Sequence, residues 1–302
     1  FLNYFTSYIY IRRKVKLVRI PLKELVKIFK PLFSMLLLAN ANMLYTILDR
    51  LFLSSVKNNL YISYYTISLN LSMMITGVVV SIIIVSIPRL AKYNAEEDFE
   101  NFNDLQLKTS RLFLFLVVPI SVGLACVSQS IIFLYAGPKY ILAVPTMIIC
   151  SIRILTWTLD TIFANQVIFL KGHELSLTKI YFIGGFFNLI FNSGLYLLGI
   201  ENPEFYILTT LIAEIIVLIL EVKFIRDRSL YDVRKIKNTF IRYTIASLPF
   251  VAIKLAVDYF IPFEYQISKG FLMNTGFVIV GCVVYYAIFA IVSGDLKKVI
   301  KL

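Results

Sequence analysis

Long apolar blocks of about 20 residues, the length that crosses a hydrocarbon core, alternate with short stretches that gather the lysines and arginines. At a helical rise of about 1.5 Å per residue such a block covers about 30 Å. The apolar pattern predicts eight spans: Pro31–Val56, Ile62–Pro88, Arg111–Ala136, Tyr140–Leu170, Ser176–Gly199, Pro203–Glu221, Thr239–Ile261 and Ile267–Ser293. None shows the residue-by-residue alternation of a barrel strand. Pro31 and Pro203 suit the first turn of a helix, where a missing N–H costs nothing. Gly137-Pro138 marks a tight turn. Pro119 and Pro145 fall inside spans and are expected to kink them. The fold class is therefore all-α integral membrane, with about eight transmembrane helices.

Composition agrees. Of 302 residues, 59% are hydrophobic and 16% charged, with a mean hydropathy of +0.81. Soluble domains average about 45–50% apolar and about 25% charged, so this surplus has no soluble surface to hide behind.

Charge placement orients the spans. Lys and Arg concentrate in short cytoplasmic loops. Of the 30 basic residues, Arg50, Arg153 and Lys254 lie deep inside spans, and Lys57, Lys139 and Lys269 lie in the loops or at the span ends of one side. All the others fall before the first span, in the tail, or in the loops after the second, fourth and sixth spans and the first turns that follow them. Both chain ends are thus expected on the cytoplasmic side. The net charge of +12 reflects topology and anionic headgroups rather than nucleic-acid binding. Cys126, Cys150 and Cys282 all sit in apolar spans, which predicts neither disulfides nor a metal centre. His173, the single histidine, reads as a loop residue. Residues Phe1 to Ile11 read as the exit of an earlier helix rather than as a signal peptide. The expected organisation is a basic linker over 1–30, a six-helix lobe over 31–222, and a linker with two further helices over 223–302.

Charges at membrane depth cost about 2.5–3.5 kcal/mol and face a bundle interior or a wet cavity. Asp49, Arg50, Arg153, Asp160, Glu214 and Lys254 are such residues here, and are the candidates for a substrate path or for ion coupling. Arg153 and Asp160 are seven apart, on one helical face. Asp49-Arg50 and Lys254 with Asp258 read equally well as structural ion pairs. Arg153 lacks a nearby acid on its own helix, so its partner is another helix, water or a substrate anion. Glu221, at a span end, reads as interfacial. Asn188 and Asn192 share a face of the fifth span, and the second is rich in Ser and Thr; such residues either glue helices or line a polar cavity. Phe99, Phe102 and Leu105, set among acidic residues between Ala91 and Ser110, predict an amphipathic helix along the membrane surface.

The stretches TILDRLFLSS, IPRLAKY and VPISVGLACVSQSIIFLYAGPKYILAVP, with the loop FLKGHE, resemble the polysaccharide-transport (Wzx-type flippase) branch of the multidrug/oligosaccharidyl-lipid/polysaccharide (MOP) exporter superfamily. The resemblance implies the C-terminal lobe of a fourteen-helix transporter plus its two additional helices. It implies a non-enzymatic protein of the bacterial cytoplasmic membrane, without cofactor, that flips a lipid-linked oligosaccharide diphosphate to the outer leaflet by alternating access. Arg153, Arg50 and Lys254 would serve the diphosphate. Asp49, Asp160 and Glu214 would partner those cations or hold a coupling ion, proton or sodium. The partners are thus the lipid-linked substrate, membrane lipids and that ion. The alternatives are a drug/cation antiporter or lipid II flippase of the same superfamily, or an integral-membrane polymerase, which the short outer loops disfavour.

Overall fold

The computed structural model describes residues 47–55 and 59–295, with a few scattered positions before residue 30. Most of the predicted first span lies outside the described residues; its last turns, 47–54, are helical. The remaining elements are α1 (Asn59–Ala95), α2 (Phe99–Cys126), α3 (Ser128–Ala136), a 3₁₀ turn (Pro138–Ala143), α4 (Val144–Asp160) continuing into a π-helical segment (Thr161–Phe169), α5 (Glu174–Leu197), α6 (Pro203–Asp227), α7 (Val233–Ser247), α8 (Pro249–Phe260) and α9 (Lys269–Val292). Strands are absent among the described residues. Six stretches are long and apolar enough to cross a membrane: Phe99–Cys126, Pro138–Phe169, Glu174–Leu197, Pro203–Asp227, Val233–Phe260 and Lys269–Val292. At 37 residues, α1 is longer than any of them.

Several boundaries differ from the pattern-based reading, each for a local reason. The surface helix expected between Ala91 and Ser110 does not form: α1 runs through Pro88 to Ala95, and α2 starts at Phe99. Asp98 caps α2 by accepting the backbone N–H of Asn101 at 3.2 Å, which satisfies an otherwise orphan donor. The Asn101 side-chain amide donates to the other oxygen at 2.7 Å; that bond and the backbone one favour the carboxylate and hold its pKa below the usual 3.8. Phe102 is completely buried, because the helix stands against its neighbours instead of lying flat. Pro119 is accommodated inside α2, whereas Pro145 occupies the first turn of α4, where its missing N–H breaks no helical hydrogen bond. The seventh span breaks at Leu248, where Pro249 opens α8.

The core lies around α4, which packs on α1, α2 and α6, while α5 packs on α6. Met147, Ile154, Phe113, Val118 and Ala213 are buried there. The last two spans sit to one side against α2. They are tied to the rest by Thr275 donating to Ser130 at 2.9 Å and by Tyr286 donating to the Phe115 carbonyl at 2.9 Å. Between α2, α8 and α9 opens a cleft of about 540 Å³ lined by Phe115, Pro119, Gly123, Phe250, Val278 and Cys282, among others.

On the lysine- and arginine-rich side, the ends of several helices are laced together. Lys171, between the π segment and α5, donates to the Leu230 carbonyl at 2.6 Å. Its ammonium lies 5.5 and 5.2 Å from the Phe99 and Phe102 ring centres, within cation–π range. Asn94 donates to the Leu170 carbonyl at 2.9 Å. His173 sits edge-on to Phe224, 5.4 Å between ring centres; it is a packed loop residue.

Candidate functional site

The six candidate residues divide into three places. The first is built around Asp49, which is fully buried on the 47–54 helical end. Four neutral side chains donate to its carboxylate. Tyr65 and Thr210 donate to Oδ2 at 2.7 and 2.6 Å, and Asn192 and Asn188 to Oδ1 at 2.6 and 3.4 Å. Thr209 donates to Asn192 at 2.5 Å, Asn192 to Asn188 at 3.2 Å, and Asn188 to Thr210 at 3.0 Å. A buried charge is tolerable only when its lone pairs are satisfied, and here hydrogen bonds do so in place of a counter-ion. Arg50 is exposed, so among the described residues the Asp49-Arg50 ion pair, one of the two readings of the sequence, is not formed. The spacing of Asn188 and Asn192, one turn apart on α5, brings both amides onto Asp49. Thr209 and Thr210 on α6 were not signalled by the sequence, because only packing decides which hydroxyls turn inward.

The second place joins α4 to α6. Glu214 Oε1 accepts from Arg153 Nε at 2.8 Å and pairs with Nη2 at 2.7 Å. Its Oε2 accepts from Thr156 at 2.7 Å. Both charged side chains are about 15% exposed. The partner that Arg153 lacks on its own helix is thus supplied by α6. Arg153 also walls a small cleft of about 100 Å³ between α1 and α4, with Ser72, Met73, Thr76 and Trp157. It is near enough to Asp49 and Tyr65 to act on both through its charge. Asp160 stands two turns further on, accepting from Tyr181 at 2.8 Å. Glu221 faces it and is fully buried. The interfacial reading of Glu221 was therefore wrong: α6 continues to Asp227 and carries it inside.

The third place is remote. Lys254 pairs with Asp258 at 2.5 Å, one turn apart on α8. Asn274 of α9 donates to the same Asp258 oxygen at 2.8 Å and to the Ile261 carbonyl at 2.6 Å. This couple joins α8 to α9. The cations hence do not converge: Arg153, Glu214 and Asp49 neighbour one another, while Arg50 and Lys254 stand apart. Among the described residues, no group of three or more His, Cys, Asp and Glu side chains has the arrangement of a metal centre.

Residues 1–145 match the polysaccharide biosynthesis protein family. No curated protein matches the chain. Among solved structures, lipid II flippase MurJ in an inward closed conformation superposes with a TM-score of 0.68 at 18% identity, over 95% of this chain and 59% of the MurJ chain. The chain therefore spans about three-fifths of that protein. It shares the all-α membrane fold of that structure, with the family match confined to its first 145 residues.

Proposed function

We propose that the chain forms part of a transporter, not an enzyme, that flips a lipid-linked oligosaccharide diphosphate from the cytoplasmic to the outer leaflet of the bacterial cytoplasmic membrane by alternating access. The observation that carries this reading is Arg153: a guanidinium at membrane depth, held by Glu214 yet walling a cleft. The planar fork of arginine matches phosphate oxygens bidentately, and Glu214 keeps it oriented when no anion is present. The apolar cleft beside α8 and α9 suits a hydrocarbon chain, so the polar head and the lipid have separate surfaces. In this reading both chain ends are cytoplasmic, residues 31–222 form the lobe, and residues 223–302 add the two further helices.

Asp49 is the best candidate for a coupling cation. Its surroundings are oxygens of Asp, Asn, Thr and Tyr, hard ligands suited to a hard cation. The amides of Asn188 and Asn192 need only turn to present oxygen instead of N–H. The likeness to lipid II flippase MurJ favours a second reading, transport of a peptidoglycan precursor, which shares the diphosphate and the lipid.

The test is complementation of a strain lacking its repeat-unit flippase, using the full-length protein. Arg153→Lys keeps the charge and loses the fork; it is expected to reduce surface polysaccharide about tenfold or more at normal expression, with lipid-linked repeat units accumulating inside. Full complementation by Arg153→Lys and by Arg153→Ala would sink the reading. Complementation of a lipid II flippase deletion instead would move the substrate to the peptidoglycan precursor.

A further inference from the structure

Asp160 follows Arg153 by seven residues, and Glu221 follows Glu214 by seven. Seven helical residues make about two turns, about 10 Å. The register of α4 and α6 that pairs Arg153 with Glu214 therefore sets Asp160 opposite Glu221, as a second rung of one ladder. The first rung joins a cation to an anion; the second joins two acids. The two side chains act on one another directly. Glu221 is 0% exposed, and neither of its oxygens meets a donor among the described residues. Asp160 is partly exposed, and its Oδ1 takes the Tyr181 hydroxyl. Among the described residues, the charged and titratable groups acting on the pair are Tyr181 from α5 and Glu214 from α6, with Arg153 of α4 one rung away. Arg153 is committed to Glu214, so its charge does not neutralise the second rung.

An ionised carboxyl only accepts hydrogen bonds, whereas a protonated one also donates. Two ionised carboxylates facing each other, one of them fully buried and without a donor, repel strongly; one shared proton turns the repulsion into a hydrogen bond. We propose that Asp160 and Glu221 form a proton-binding site, in which a single proton rides on Glu221, donates to Asp160, and exchanges with solvent through the exposed edge of Asp160. Loading breaks one O–H bond of hydronium and forms one at the carboxyl pair; unloading reverses this, and no other bond changes. The unloaded pair carries two facing negative charges, with Glu214 two turns away, and these push α6 from α4. Proton occupancy is thereby linked to the packing that also orients Arg153. The site is independent of what the transporter carries, so it stands or falls separately from the substrate reading.

Infrared spectroscopy of the full-length protein in lipid nanodiscs tests it. At neutral pH the wild type should show a protonated-carboxyl C=O band that shifts on exchange into heavy water. Glu221→Gln, whose amide replaces the O–H donor, should lose that band and remain folded. Glu100→Gln, at an exposed position on α2, should keep it. The wild-type thermal midpoint should fall as pH is raised above neutral, and the midpoint of Glu221→Gln should fall less. A wild type without an exchange-sensitive band overturns the proposal, as does a band that survives Glu221→Gln or an unchanged pH slope in that variant.

Discussion

Glu214 receives both Nε and Nη2 of Arg153 on one oxygen, at 2.8 and 2.7 Å, and gives its other oxygen to Thr156 of the same facing helix. Removing one member of a buried pair leaves the other uncompensated, which costs about 3–5 kcal/mol. Glu214→Leu is expected to lower stability by about 3 kcal/mol in denaturant unfolding in micelles. Arg153→Leu combined with Glu214→Leu should cost less than either change alone, since both charges are then gone. Additive losses would show that the two side chains do not act as a pair.

Asp49 predicts a cation effect on stability. A cation that binds only the folded state adds about 2.7 kcal/mol at 100 times its Kd. Sodium chloride should raise the thermal midpoint of the wild type more than choline chloride does, and Asp49→Asn should abolish the difference. Asp49→Ala strands several buried donors, each costing about 1–3 kcal/mol, and should fold poorly. Equal midpoints in the two salts would remove sodium from this site.

The cleft between α2, α8 and α9 makes a third prediction. A Cβ on Gly123 would meet the Phe250 ring at 3.9 Å, ordinary contact, so a larger side chain there enters the cleft without displacing backbone. Gly123→Leu should leave the thermal midpoint nearly unchanged and slow transport of long-chain lipid-linked substrates several-fold. Transport at the wild-type rate would argue that the hydrocarbon chain runs elsewhere.

Lys171 ties the loop before α5 to the Leu230 carbonyl and the rings of Phe99 and Phe102. Burial disfavours its ammonium and holds its pKa below the ordinary 10.5. The folded state therefore binds fewer protons than the unfolded one between that lowered value and 10.5, and this group makes stability rise with pH across that window. Lys171→Met should flatten that alkaline segment of the stability profile and cost about 1 kcal/mol at neutral pH through the lost hydrogen bond. An unchanged profile would show that the contact is not maintained in solution.

Apolar block length and the scarcity of charge were enough to establish an all-α membrane protein, because a bilayer accepts few backbone solutions. They also flagged the costly residues, since any ionised group at membrane depth stands out against its neighbours. Spacing went further on single helices: Asn188 with Asn192, and Arg153 with Asp160, were each legible as sharing a face. What the one-dimensional pattern could not supply was partnership between helices. Glu214 as the partner of Arg153, Thr209 and Thr210 in the Asp49 cluster, and the burial of Glu221 all depend on how α4, α5 and α6 are set against one another. That setting is decided by side-chain packing across the core, not by any local preference. The pairing of Lys254 with Asp258 was legible from their spacing of four, but only packing sets that couple against Asn274 of α9.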